Sequence, residues 1–148
     1  MKVSKFGGSS LADATQIRKV CEILLSDSNR KVLVVSAPGK RYKTDTKVTD
    51  LLISLAHAKI SGKSGLKELN AVLVRYEEIA SELSVISVMD DIRDNLTSLS
   101  QADTNSPDKF LDALKAAGED NCARLVAAYL NSIVYSQAFL VIHLKAML

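Results

Sequence analysis

The chain has 148 residues, 47% hydrophobic and 24% charged, which is the balance of one globular domain. A net charge of +2 argues for neither a nucleic-acid nor a membrane-surface partner, and 5% aromatic residues without tryptophan leave little for base-stacking platforms. No apolar run of about 18 residues is present to span a membrane, no secretory leader precedes the first glycines, and Cys21 and Cys122 lack metal-ligand spacing, so both are expected as buried, reduced thiols of a cytoplasmic protein.

Residues 2–6 read as a short strand that carries Lys5 and runs into Gly7, Gly8, Ser9 and Ser10. Glycine backbone can approach a ligand closely. Its N–H groups can face phosphate oxygens, Lys5 supplies a mobile cation, and Ser9 and Ser10 add hydroxyl donors. A helix opening at residues 10–14 would add its N-terminal partial charge. The motif is neither GxxxxGK[ST] nor GxGxxG. From the residues alone, a phosphate loop and an ordinary turn with a surface lysine stand level.

Ile17, Val20, Cys21, Leu24 and Leu25 fall at helical spacing and form one apolar face, which ends at Asp27, Ser28 and Asn29. Residues 31–35, Lys-Val-Leu-Val-Val, read as a strand buried in a parallel sheet. Ser36, Ala37, Pro38 and Gly39 form a second loop at that strand's C-terminal end. Residues 40–47 contain Lys40, Arg41, Lys43 and Lys47, and read either as a mobile flap that senses ligand charge or as a solvated loop. Thr49 or Asp50 is expected to cap the helix that follows.

Helical periodicity covers residues 66–84 and continues over 85–99, with a break near Ser84. Residues 100–107 form a turn-rich linker, and Pro107 suits the first position of a further helix. Ala117, Gly118, Glu119 and Asp120 are expected to interrupt it before a strongly apolar helix over residues 122–131. His57 and His143 sit in apolar surroundings and are expected to be structural. A strand is plausible over residues 138–144. The order β-loop-α-β-loop-α, then further helices, implies an α/β sandwich around a parallel sheet. Ligands of such sheets bind beyond the carboxyl ends of the strands, where both loops lie.

Four of these elements resemble those of aspartokinases. Lys5-Phe6-Gly7-Gly8-Ser9-Ser10 resembles the KFGGTS opening, and Val34-Val35-Ser36-Ala37 resembles the second strand and loop. Val48-Thr49-Asp50-Leu51-Leu52 resembles the T[DN]xL element, and Gly118-Glu119 resembles the GE-containing helix. The resemblance implies the αβα sandwich of the amino acid kinase (carbamate kinase-like) type. It also implies transfer of the ATP γ-phosphoryl group to the β-carboxylate of L-aspartate, the first step toward lysine, threonine and methionine.

By the same resemblance, Lys5 is the catalytic cation at the transferring phosphoryl group. Gly7, Gly8, Ser9 and Ser36 bind the ATP phosphates, with Ser9 in place of the commoner threonine. Thr49 and Glu119 hold L-aspartate, although Ala117 stands where the family usually has arginine and Asp120, Asn121 and Cys122 depart from its commoner pattern. Such a reaction needs no general base, because the acceptor carboxylate is already ionised near neutral pH.

The resemblance covers the front of the family. Residues 1–131 correspond to the N-terminal portion of the kinase domain, and residues 132–148 read as an atypical apolar tail that truncation or a frameshift would explain. Most of the nucleotide pocket and the groups that hold Mg2+ are expected in the second half of such a kinase. The 148 residues alone are therefore expected to be inactive and to self-associate through exposed apolar surface. The alternatives are a sister kinase acting on acetylglutamate, glutamate, uridylate or carbamate, and a non-catalytic remnant.

Overall fold

The structure, a computed structural model, describes residues 1–134 and 138–143. β1 (Lys2–Lys5), β2 (Arg30–Val35) and β3 (Leu140–His143) form one parallel sheet in the order β1-β2-β3. β2 is central because its apolar run can be enclosed: Leu33, Val34 and Val35 are all buried. The edges are more open, with Val3 and Leu140 each 56% exposed. β3 lies within the expected strand over residues 138–144, of which Leu144 falls outside the described residues.

α1 (Ala14–Leu25) links β1 to β2 and buries Ile17, Val20, Cys21 and Leu24, the expected stripe without Leu25, which faces solvent. α2 (Val48–Ile60), α3 (Leu66–Glu82), α4 (Met89–Ser100) and α5 (Pro107–Ile133) fill the long connection to β3. The break at Ser84 is real: its φ of 58° is left-handed, and a short 3-10 turn over Ile86–Val88 precedes α4. α5 packs against α2, α4, β2 and β3, so one continuous core joins the helices to the sheet.

Two expectations about helix ends are corrected. α5 runs unbroken through residues 117–120. A glycine and two acids read locally as a helix stop, but Gly118 is buried where α5 meets α2 and the loop after β2. The cap of α2 is at Lys47 rather than at Thr49 or Asp50. Its first amide, on Val48, donates to the Pro38 carbonyl at 3.0 Å, so a tertiary contact satisfies a group that a capping side chain would otherwise serve. Both cysteines are buried and free, and burial pushes each thiol up to about 12, which makes them inert packing residues at neutral pH.

Candidate functional site

β1 and β2 run side by side, with Lys5 opposite Val34, so the chain leaves both strands at the same end of the sheet. The two exit loops touch through backbone. The Gly39 N–H donates to the Gly8 carbonyl at 2.8 Å. A Cβ on Gly39 would lie 2.6 Å from the Gly8 carbonyl carbon and 2.8 Å from the Ser9 nitrogen, and one on Gly8 would lie 2.9 Å from the Ala37 oxygen. Neither position has room for a side chain. The Ser36 hydroxyl adds a long bond to the Phe6 carbonyl at 3.4 Å. The loops thus form one continuous surface at the carboxyl end of the sheet.

Gly7 differs from Gly8. A Cβ there would meet nothing within 4 Å, and its φ of −81° is open to any residue. The space beside Gly7 therefore belongs to no protein atom. Lys5 is exposed and has no carboxylate partner among the described residues. Ser9 is exposed as well. These features suit an anionic ligand such as a phosphate chain.

The helix that was to add its N-terminal charge does not start at this loop. Residues Gly8–Leu11 form a single 3-10 turn, and α1 begins at Ala14. Its end is occupied by the Asp13 carboxylate, which accepts from the Gln16 N–H at 2.9 Å. Positive potential at this site comes from Lys5 and loop N–H groups.

Thr49 and Glu119, the residues expected to hold the acceptor, lie on α2 and α5. A Cβ on Gly118 would lie 3.0 Å from the Ala37 Cβ, 2.9 Å from Leu52 Cδ1 and 3.7 Å from Val48 Cγ1. Residues adjoining Glu119, Ser36 and Thr49 therefore converge on one point. Thr49 is half-buried in the first turn of α2, and its hydroxyl has no protein partner among the described residues. Tyr76, fully enclosed on α3, donates its hydroxyl to the Gly118 carbonyl and fixes this stretch of α5.

Glu119 is half-buried and faces β3 rather than bulk water. His143 Nδ1 lies 3.7 Å from Glu119 Oε2, and Nε2 lies 3.9 Å from Asp120 Oδ1. His143 Nδ1 is buried without a hydrogen bond, so this histidine adjoins a candidate site residue instead of filling a distant part of the core. His57 is exposed in the last turn of α2, where it suits the helix dipole.

The basic segment fits neither expectation whole. Arg41 is anchored: it donates to both Asp45 carboxylate oxygens at 2.8 Å and to Glu78 Oε2 at 3.0 Å. Lys40, Lys43 and Lys47 remain exposed. Asp45 is itself buried, and Arg41 holds its carboxyl well below the usual range. Sequence reasoning placed Gly39 in the second loop without its contact to Gly8, and missed Asp45 and Arg75, a buried arginine on α3 that bonds to this loop. The signal for Arg75 was present: it lies three residues after Val72 and four before Ile79, on the stripe otherwise apolar.

The chain matches the model of the amino acid kinase family over residues 1–145. It is 52% identical over 130 residues to aspartokinase 3 of Bacillus subtilis (strain 168), covering 87% of this chain and 29% of that protein. Its fold matches the crystal structure of Clostridium acetobutylicum aspartate kinase with a TM-score of 0.72 and 36% identity, over 87% of this chain and 29% of that one. It also matches E. coli aspartokinase III in complex with aspartate and ADP, with a TM-score of 0.63 and 25% identity, over 88% of this chain and 29% of that one. The chain spans less than a third of the length of these relatives.

Two measurements test this geometry. Gly39→Ala forces the loops apart and is expected to cost about 1–3 kcal/mol in urea unfolding, whereas Gly7→Ala, with open space around it, stays within about 0.5 kcal/mol. Equal costs would show that the loops do not touch as described. For Asp45 the folded carboxyl titrates below its unfolded value, so its contribution is whole above about pH 4 and is lost as pH falls further. Urea midpoints between pH 5 and pH 3 should therefore fall more steeply for the parent than for Asp45→Asn. Parallel slopes would remove Asp45 as an anchor.

Proposed function

Because the chain belongs to the amino acid kinase family, we propose that it carries the phosphate cradle and part of the acceptor site of an aspartokinase. Such an enzyme transfers the γ-phosphoryl group of ATP to the β-carboxylate of L-aspartate and yields 4-phospho-L-aspartate, within the cytoplasmic synthesis of lysine, threonine and methionine. The four motifs and the 52% identity to a named aspartokinase favour aspartate over the acceptors of sister kinases. A relative solved with aspartate and ADP supports this pair of ligands.

The observation that carries the reading is the fused pair of loops, with open space at Gly7 and Lys5, which has no carboxylate partner among the described residues, two positions before it. Phosphoryl transfer asks little covalent work of a protein and much positioning and charge neutralisation. The acceptor carboxylate and the triphosphate repel each other. Lys5 offsets that repulsion as charge spreads over the transferring group, and loop N–H groups from Gly7, Gly8 and Ser9 add fixed dipoles. Ser36, at the seam of the two loops, donates its hydroxyl to the Phe6 carbonyl through a long bond and would turn it to a phosphate oxygen when the nucleotide binds. Thr49 offers its hydroxyl to the acceptor, and Glu119 offers its carboxylate to the α-ammonium group.

ATP supplies the phosphoryl group, and magnesium accompanies it as a counter-ion. Among the described residues no group of three or more carboxylate, histidine or cysteine side chains is placed to hold a metal, so no residue of this chain is assigned to it.

Titration with magnesium-ATP during thermal unfolding tests the reading. Binding stabilises by about 2.7 kcal/mol at a nucleotide concentration 100-fold above Kd. Lys5→Ala removes a charge-assisted contact and weakens binding by about tenfold or more. The unliganded stability stays within about 0.5 kcal/mol, because Lys5 is exposed. Equal nucleotide affinity of Lys5→Ala and the parent chain would contradict the role given to Lys5. Absence of nucleotide binding by the parent would contradict the cradle.

A further inference from the structure

Arg75 is 4% exposed, yet α3 contributes no residue to the cradle or the acceptor site. Its guanidinium reaches three segments at once. Nη2 donates to the carbonyls of Ala12 at 3.1 Å and Gly39 at 2.9 Å. Nη1 donates to the Thr46 carbonyl at 2.7 Å and to Asp45 Oδ2 at 3.3 Å. Ala12 follows the first loop, Gly39 is the contact residue of the second, and Thr46 leads into α2, which carries Thr49. All three carbonyls lie outside helices and strands.

Burial of a guanidinium is costly unless its donors are satisfied. Here four hydrogen bonds meet that demand, and only one partner is a carboxylate, which Arg41 shares. The arrangement matches what arginine alone provides: a rigid planar fork with donors aimed in fixed directions. A lysine ammonium would pair with Asp45 but could not span carbonyls on both loops. The charges around Arg75 are Asp45, Arg41 and Glu78.

We propose that Arg75 is the positioning residue of the phosphate cradle: it touches no ligand and sets the spacing between the two glycine loops by holding the Gly39 carbonyl of the second and the Ala12 carbonyl that directly follows the first. This rests on the reading of those loops as a cradle. The loops could otherwise separate by opening the Gly39–Gly8 backbone hydrogen bond and the long Ser36–Phe6 bond. With Arg75 in place, that opening would also strip its guanidinium of partners. The lead-in to α2 is tied to the same group, so the spacing of Thr49 from the phosphates follows from it.

The test compares Arg75→Lys with a core control, Ile92→Val, which trims a fully buried side chain on α4. Amide hydrogen exchange is read at Gly39, the donor of the backbone bond between the loops, at Val48, the donor of the bond that ties the second loop to the start of α2, and at Leu125 and Val126 in the core of α5. Magnesium-ATP affinity is read alongside. Arg75→Lys is expected to speed exchange at Gly39 and Val48 and to weaken ATP binding, each by about tenfold, while α5 exchange stays unchanged. Ile92→Val is expected to lower the melting temperature without changing ATP affinity.

If Arg75→Lys leaves exchange at Gly39 and Val48 unchanged, or speeds it only together with α5, the positioning role is overturned. If Arg75→Lys does not fold, Arg75→Gln carries the same readouts and the same overturning result. Failure of the parent chain to bind ATP would overturn the cradle reading alone, because the exchange arm still decides whether Arg75 sets the loop spacing.

Discussion

The backbone contact between Gly8 and Gly39 is the constraint from which the site follows. Adjacent parallel strands stand about 4.8 Å apart, so the loops that leave β1 and β2 at one end must adjoin. Whether they fuse depends on two missing Cβ atoms. With both absent, the Gly39 amide reaches the Gly8 carbonyl, and the loops that carry Gly7, Ser9 and Ser36 are joined where β1 and β2 end. A side chain at either position would leave two separate turns. The glycine pair is therefore divided in purpose: Gly8 serves the protein's own packing, and Gly7 leaves room for something that the protein does not supply.

A second close approach repeats this solution at α5. Gly118 lets α5 press against Ala37, Leu52 and Val48, the loop after β2 and the start of α2. Exposed Lys5 stands where β1 ends, and Glu119 stands on α5 with Asp120 and His143 beside it. Under the proposed function, an acceptor with two carboxylates and one ammonium group, next to a polyphosphate, asks for a cationic and an anionic group of this kind. The α3 residues Arg75 and Tyr76 reach both sides from behind, one holding loop carbonyls and the other the Gly118 carbonyl.

Much of this was legible in the sequence because local rules carried it. The β-branched run of β2 and the two glycine loops read directly as parallel strands with ligand-facing ends. Lys5, Ser36, Thr49 and Glu119 stand out in the sequence only through motifs at their spacing, and their roles rest on the proposed function. The misreadings share one cause, namely tertiary contacts that replace local signals. Gly118 looked like a helix stop, because nothing local records its contact with Ala37. Thr49 looked like a cap, because nothing local records that the Pro38 carbonyl serves the Val48 amide. Gly39 read as part of a ligand-facing loop, but its reason for being glycine is Gly8, on a different strand's loop, which nothing local records. Arg75 broke an apolar stripe, and a buried arginine signals that several backbone acceptors must meet it.

The most direct test of the account is an amide chemical-shift titration of the chain with magnesium-ATP. The fused-loop cradle predicts that the largest shifts fall on Gly7, Gly8, Ser9, Ser10, Ser36, Ala37 and Gly39, with Lys5→Ala suppressing them. Shifts confined to the cleft between α5 and β3 around Asp120 and His143, or no shifts at saturating nucleotide, would contradict it.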